Sequence, residues 1–172
     1  MKTPFKKCIG IDPGKSGGVA VITDEAAKVY PCPKTVKDMS MLIGVCLSDV
    51  SAYRTMVLLE KVWAFPSDAR STAFTFGTNF GQWQGILASY ELEPILVPPK
   101  SWQSHFDIKK GIPKNKRKNA LKQIAIDKCP GVKRITLKTC DALLIAIYGV
   151  DTYLGYKNSK SWSLPTEVEI SS

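Results

Sequence analysis

The run ALLIAIYGV, inside a helical stretch from about Thr139 to Tyr153, is apolar on nearly every side. A helix with no polar face belongs inside a fold, covered by other elements rather than resting on a surface. The rest of the chain supplies strands and amphipathic helices to cover it. Cys8-Ile9-Gly10-Ile11 reads as a buried strand stopped by Asp12-Pro13-Gly14, and GGVAVIT (17–23) as a second strand. Residues 28–31 read as a weak third, which with glycine-rich turns makes an antiparallel meander.

Helical periodicity then alternates with strands. Residues 36–49 place Val36, Met39, Leu42, Ile43, Cys46 and Leu47 on one face. TMVLLEKV (55–62) is a strand interrupted by Glu60. A helix over 69–91 carries Phe76, Phe80, Trp83, Leu87 and Tyr90 as one stripe, with Gly77, Gly81 and Gly85 on another face. PILV (94–97) is a fifth strand, and 114–128 is a basic amphipathic helix around Leu121, Ile124 and Ala125. This order predicts an α/β fold: a five-stranded mixed sheet, its first three strands antiparallel, with helices on both faces. The 172 residues suit one domain, taken as 1–156, with a polar, loose tail over 157–172.

Composition narrows the function classes. No run approaches the roughly 18 apolar residues of a membrane helix, and Met1–Lys7 lacks a secretory apolar region. Five cysteines, none in C-x-x-C spacing, suit a reducing compartment and argue against a disulfide framework or structural zinc. A cytoplasmic or organelle-matrix protein is expected. The net charge is +9, and the segment from Lys109 to Lys138 carries all of it: eleven basic residues against the single acid Asp127. Such a cluster is either a solvated face or the footprint of a polyanion, most often nucleic acid.

Three carboxylates stand where a carboxylate is costly. Asp12 ends a buried strand, Glu60 lies late in an apolar one, and Asp141 opens the most apolar helix. Taken singly, Asp12 can shape a turn, Glu60 can pair with a basic neighbour, and Asp141 can cap its helix. Taken together beside a basic segment, they point to a site for a hard divalent cation, Mg²⁺ or Mn²⁺. Two other motifs fail. GIDPGKS has three residues between its glycines where a P-loop needs four, so no nucleotide cofactor is expected. His105 is the only histidine, and no G-x-S-x-G elbow accompanies it.

Five segments in order, IGIDPGKSGGVAVI, LEKV, FGTNFGQWQGIL, PPKSWQSHF and CDALLIAIYG, resemble the RuvC-type Holliday junction resolvases, in flavour the phage-encoded and chloroplast members. The resemblance spans about Cys8 to Gly149. It implies a ribonuclease H-like fold and a homodimer that nicks opposed strands of a four-way DNA junction with Mg²⁺ or Mn²⁺, leaving 5′-phosphate and 3′-hydroxyl ends. Asp12, Glu60 and Asp141 match the family's first-strand, fourth-strand and final-helix acids, so the resemblance assigns them catalysis and metal binding. Relatives carry a further Asp or His three or four residues before the last acid, where this chain has Leu137 and Lys138. Lys138 thus becomes a candidate catalytic-site lysine, replacing part of the charge of a cation, or else it faces phosphate or solvent. A disabled junction-binding protein and another nuclease of the same fold, ribonuclease H or flap-directed, are the alternatives.

On this reading Lys15, Lys114, Lys116, Arg117 and Lys118 are phosphate contacts, with Lys100 a further one in the loop PPKSW. Trp63 and Phe65 either stack on unpaired bases at the crossover or pack in the core. Gly77, Gly81 and Gly85 suit close helix packing, across a two-fold axis or against the chain's own sheet.

Overall fold

The computed structural model describes residues 5–49, 52–63, 69–106, 108 and 112–154, without the side chains of residues 114 and 115. Phe65, the Lys114 side chain and the expected tail over 157–172 therefore lie outside the described residues.

Five strands form one sheet in the order β3-β2-β1-β4-β5. They are β1 (Lys7–Asp12), β2 (Gly18–Thr23), β3 (Ala27–Pro31), β4 (Thr55–Glu60) and β5 (Ile95–Val97). β1 pairs antiparallel with β2 and β2 with β3, whereas β4 runs parallel to both β1 and β5. This is the mixed sheet that the sequence predicts. The helices are α1 (Val36–Cys46), α2 (Arg70–Ser89), α3 (Pro99–His105), α4 (Lys114–Lys128) and α5 (Cys140–Tyr153).

The strands are apolar at consecutive positions because the sheet is covered on both faces. Ile9, Ile11, Val19, Val21, Val57 and Leu59 pack with Met39 and Ile43 of α1 and Trp83 and Leu87 of α2. Cys8, Ala20, Ile22, Met56 and Leu58 pack with Trp102 of α3, Leu121 and Ala125 of α4, and nearly the whole of α5. The all-apolar helix is thus a buried layer between the sheet and α3 and α4. Its approach to β1 is close: a Cβ on Gly10 would lie 2.3 Å from the Ala142 carbonyl and 2.5 Å from the Ala146 nitrogen. Only glycine fits there.

Two boundaries differ from the periodicity. α1 stops at Cys46, and the PPKSW segment, expected as a loop, is the first part of helix α3. Pro99 occupies the first turn, where the missing N–H costs nothing. Lys100 is accordingly helical and exposed. Among the described residues, no helix is long and apolar enough to cross a membrane.

Candidate active site

The register of the parallel pair sets the first two carboxylates side by side. Ile11 stands opposite Leu59, so Asp12 and Glu60 are the next residues along neighbouring strands, which are about 4.8 Å apart. Side chains alternate along a strand. Cys8, Met56 and Leu58 face α5, so Asp12 and Glu60 fall on the α5 face as well. Asp141, in the first turn of α5, meets them there. The carboxyl ends of parallel strands are the usual place for a site in α/β sheets.

Each carboxylate is gripped by a different donor. The Gly14 N–H donates to Asp12 Oδ1 at 3.1 Å within a tight turn, closed by the Gly17 N–H on the Gly14 carbonyl at 2.8 Å. Gly17 is needed there, since its Cβ would lie 2.3 Å from the Asp12 carbonyl. These bonds engage the amides of Gly14 and Gly17. The Trp102 indole N–H donates to Glu60 Oε1 at 2.9 Å. The Lys118 ammonium ion-pairs with Asp141 Oδ2, and the Cys140 thiol donates to Asp141 Oδ1 at 3.3 Å. From the opposite face of the sheet, Asn79 of α2 donates through Nδ2 to the Pro13 carbonyl at 3.3 Å, tying α2 to the Asp12 turn.

The electrostatics mark the three acids as one site. Burial pushes Asp12 up to about 6, opposed by the Gly14 amide and reinforced by the Asp141 charge. Burial pushes Glu60 up to about 7, with the Asp12 and Asp141 charges adding to it and Trp102 opposing it. Lys118 is raised: burial disfavours its charge, but Asp141 and then Asp12 outweigh burial.

Among the described residues, no three His, Cys, Asp or Glu side chains are gathered as they stand into a group that could hold a metal ion. The Lys118 ammonium is instead paired with Asp141 Oδ2. The donor chemistry nevertheless fits a hard dication. All three groups are oxygen donors, the Asp12 charge repels Glu60 with Lys118 offsetting part of it, and one oxygen of each is left unbonded among the hydrogen bonds described.

The other candidates fall into place around this cluster. The lysine against the carboxylates is Lys118, while Lys138 is exposed. Lys116 and Arg117 are exposed on α4, and Lys15 is exposed in the Asp12 turn. Trp63 is 52% exposed, with the Lys61 ammonium 4.2 Å from its ring centre, so it is not core. Among the described residues, nothing lies within 4 Å of a Cβ built on Gly77, Gly81 or Gly85, so there this stripe does not pack on the sheet. His105 pairs with Asp151 at 2.8 Å and joins α3 to α5. A cleft of about 440 Å³ lined by Lys6, Asp24, Tyr53 and Arg54 lies at the other pole, by the start of β1 and the end of β2, away from the carboxylates.

Sequence reasoning missed Trp102 and Asn79 and did not foresee the pairing of Lys118 with Asp141. Asn79 had a signal, as a polar residue inside the apolar stripe of α2. Trp102 had a weaker one, as a lone large ring in a polar segment. Lys118 reaches Asp141 only through the packing of α4 on α5, which no spacing reveals.

No protein-family model matches the chain, and no curated protein matches it in sequence. Solved structures do match. The structure described as T. thermophilus RuvC in complex with Holliday junction substrate aligns with a TM-score of 0.55 at 15% identity, covering 84% of this chain and 93% of that one. A second, the Thermus thermophilus RuvC structure, aligns with a TM-score of 0.52 at 18% identity and the same coverage. The fold is ribonuclease H-like.

Proposed function

We propose that this chain is a metal-dependent endonuclease that cuts branched DNA, four-way junctions in particular, leaving 5′-phosphate and 3′-hydroxyl ends. One observation carries the reading: Asp12, Glu60 and Asp141, from three distant parts of the chain, lie close enough that the Asp141 charge raises Asp12 and the Asp12 and Asp141 charges raise Glu60. Similarity in fold to a protein solved with a Holliday junction supports the substrate class.

Asp12, Glu60 and Asp141 would hold Mg²⁺, with Mn²⁺ able to replace it. Such an ion supplies charge neutralisation at phosphate and an activated water. Lys118 holds positive charge at the site and neutralises Asp141 while DNA is absent. Lys116 and Arg117, exposed on the same helix, lie next in sequence to Lys118 and suit phosphates flanking the cut. Lys15 and Lys100 suit phosphates further along, and exposed Trp63 suits an unpaired base. A homodimer using the open glycine face of α2 would present two such sites to opposed strands.

The test is nicking of a labelled four-way junction with Mg²⁺ against EDTA. Cleavage with Mg²⁺ is expected. Asp12→Asn should abolish it while gel-shift binding of the junction persists, and wild-type rates in that variant refute the assignment. Flap, duplex and RNA–DNA hybrid substrates in parallel separate a junction enzyme from another nuclease of this fold. A second reading is a junction-binding protein with an impaired site. It is favoured by the Lys118 ammonium on Asp141 and by Leu137 and Lys138 where a further ligand is expected. Junction binding without nicking under any divalent ion would select it.

A further inference from the structure

Trp102 is fully buried, wedged by α3 against α5 and β4 within the core of that face. Its one polar atom donates to Glu60 Oε1 at 2.9 Å. An indole that cannot move and a carboxylate at the end of a strand make this bond a fixed feature of the site. Breaking it would leave a buried N–H without a partner, which is costly in a dry core. The bond distinguishes the two oxygens of Glu60: Oε1 carries the indole N–H, and Oε2 carries none of the hydrogen bonds among the described residues.

That choice has a consequence for which ion the site takes. Mg²⁺, and Mn²⁺ in a similar way, favours six-coordinate octahedral geometry with carboxylates bound through one oxygen. Ca²⁺ takes six to eight oxygens at longer distances and gains from a carboxylate that chelates through both. We infer that Trp102 is a positioning residue that holds Glu60 as a one-oxygen ligand and so biases the site toward Mg²⁺ and Mn²⁺ and against Ca²⁺. This rests on the metal-site reading above and adds to it the residue that sets the ion preference. Partners that orient metal ligands commonly change metal affinity by about 10–100-fold when removed.

The experiment is calorimetric titration of the full chain, free of DNA, with Mn²⁺ and with Ca²⁺. Wild type, Trp102→Phe and Asp12→Asn are compared. Phe keeps an aromatic ring in the core and removes the donor along with part of the indole volume. In wild type, Mn²⁺ should bind more tightly than Ca²⁺, and Asp12→Asn should lose both ions. In Trp102→Phe, the preference for Mn²⁺ should shrink by about tenfold, mainly through tighter Ca²⁺ binding. If wild type binds through Asp12 but the ratio moves less than twofold in Trp102→Phe, the role of Trp102 is overturned and the metal site stands. If wild type binds no ion, or Asp12→Asn binds as well as wild type, the metal site falls and this inference with it.

Should Trp102→Phe fail to fold by circular dichroism, the wild type decides by NMR of its indole groups. The Trp102 indole proton, bonded to a carboxylate, should resonate at low field and remain there when Mg²⁺ saturates the site. An up-field move on adding Mg²⁺ would mean that the bond opens as the ion binds, and overturns the proposal.

Discussion

Glu60 is a liability to the metal-free fold. Burial, with the neighbouring Asp12 and Asp141 charges, raises it to about 7, and burial raises Asp12 to about 6. The folded protein therefore holds protons that the unfolded chain has released above about pH 4.5, and stability falls as pH rises wherever the folded state binds more protons. The contribution of this pair is fully present below about pH 4 and is lost as pH climbs through 6 and 7. Thermal unfolding in EDTA should thus show a decline over that window. Glu60→Gln keeps an acceptor for Trp102 while removing the charge. It should flatten the decline and stabilise the chain at pH 7.5 by about 1–2 kcal/mol; an unchanged slope contradicts the shared-site electrostatics. Lys118→Met should do the reverse, moving the decline to higher pH, because its ammonium holds both acids down. The acids themselves were legible in the sequence, since a carboxylate in an apolar run is conspicuous. Their partners were not. Lys118 is 23 positions from Asp141 and Trp102 is 42 from Glu60, and only tertiary packing joins them.

At the scale of elements, two glycines in regular structure should respond oppositely to the same change. Gly10→Ala forces a methyl group against the backbone of α5, 2.3 Å from the Ala142 carbonyl. Neither the central strand nor the buried helix can give way, so a loss above about 4 kcal/mol, or failure to fold, is expected. Gly85→Ala meets nothing within 4 Å and lies inside α2, so a gain of about 1 kcal/mol from helix propensity is expected. Urea unfolding of both variants reads these signs directly, and destabilisation by Gly85→Ala would mean that the face of α2 is not open within the chain. β1, β2, β4 and four of the five helices were readable from their apolar runs or periods, and the short β3 and β5 from the turn residues beside them. α3 was not, because Pro98 and Pro99 look like a break when only the chain's direction tells that Pro99 begins a helix. The consequence reached the site, since the misread segment carries Trp102.

Across the whole molecule the proposed DNA surface and the proposed dimer surface are on opposite sides of the sheet. α4, with its exposed Lys116 and Arg117, packs with α5 on one face, and α2 packs with α1 on the other. A second copy docked on α2 would therefore leave the basic helix free for DNA. Asn79 would link that contact to the Asp12 turn through the Pro13 carbonyl. The glycine face supplies a test, because among the described residues a side chain there meets no packing neighbour. Gly81 has nothing within 4 Å of its Cβ position, so Gly81→Glu should leave thermal stability in dilute solution unchanged or slightly raised. At micromolar concentration, sedimentation velocity should shift from dimer to monomer, because two buried carboxylates would face each other across a two-fold axis. Paired nicking of a junction should then give way to single nicks, while the salt dependence of junction binding per chain, set by the phosphate contacts of α4, stays the same. If Gly81→Glu sediments as wild type and still makes paired nicks, α2 is not the dimer face. If it loses cleavage as a folded monomer with Asp12 intact, the Asn79 link carries the state of that interface to the carboxylates.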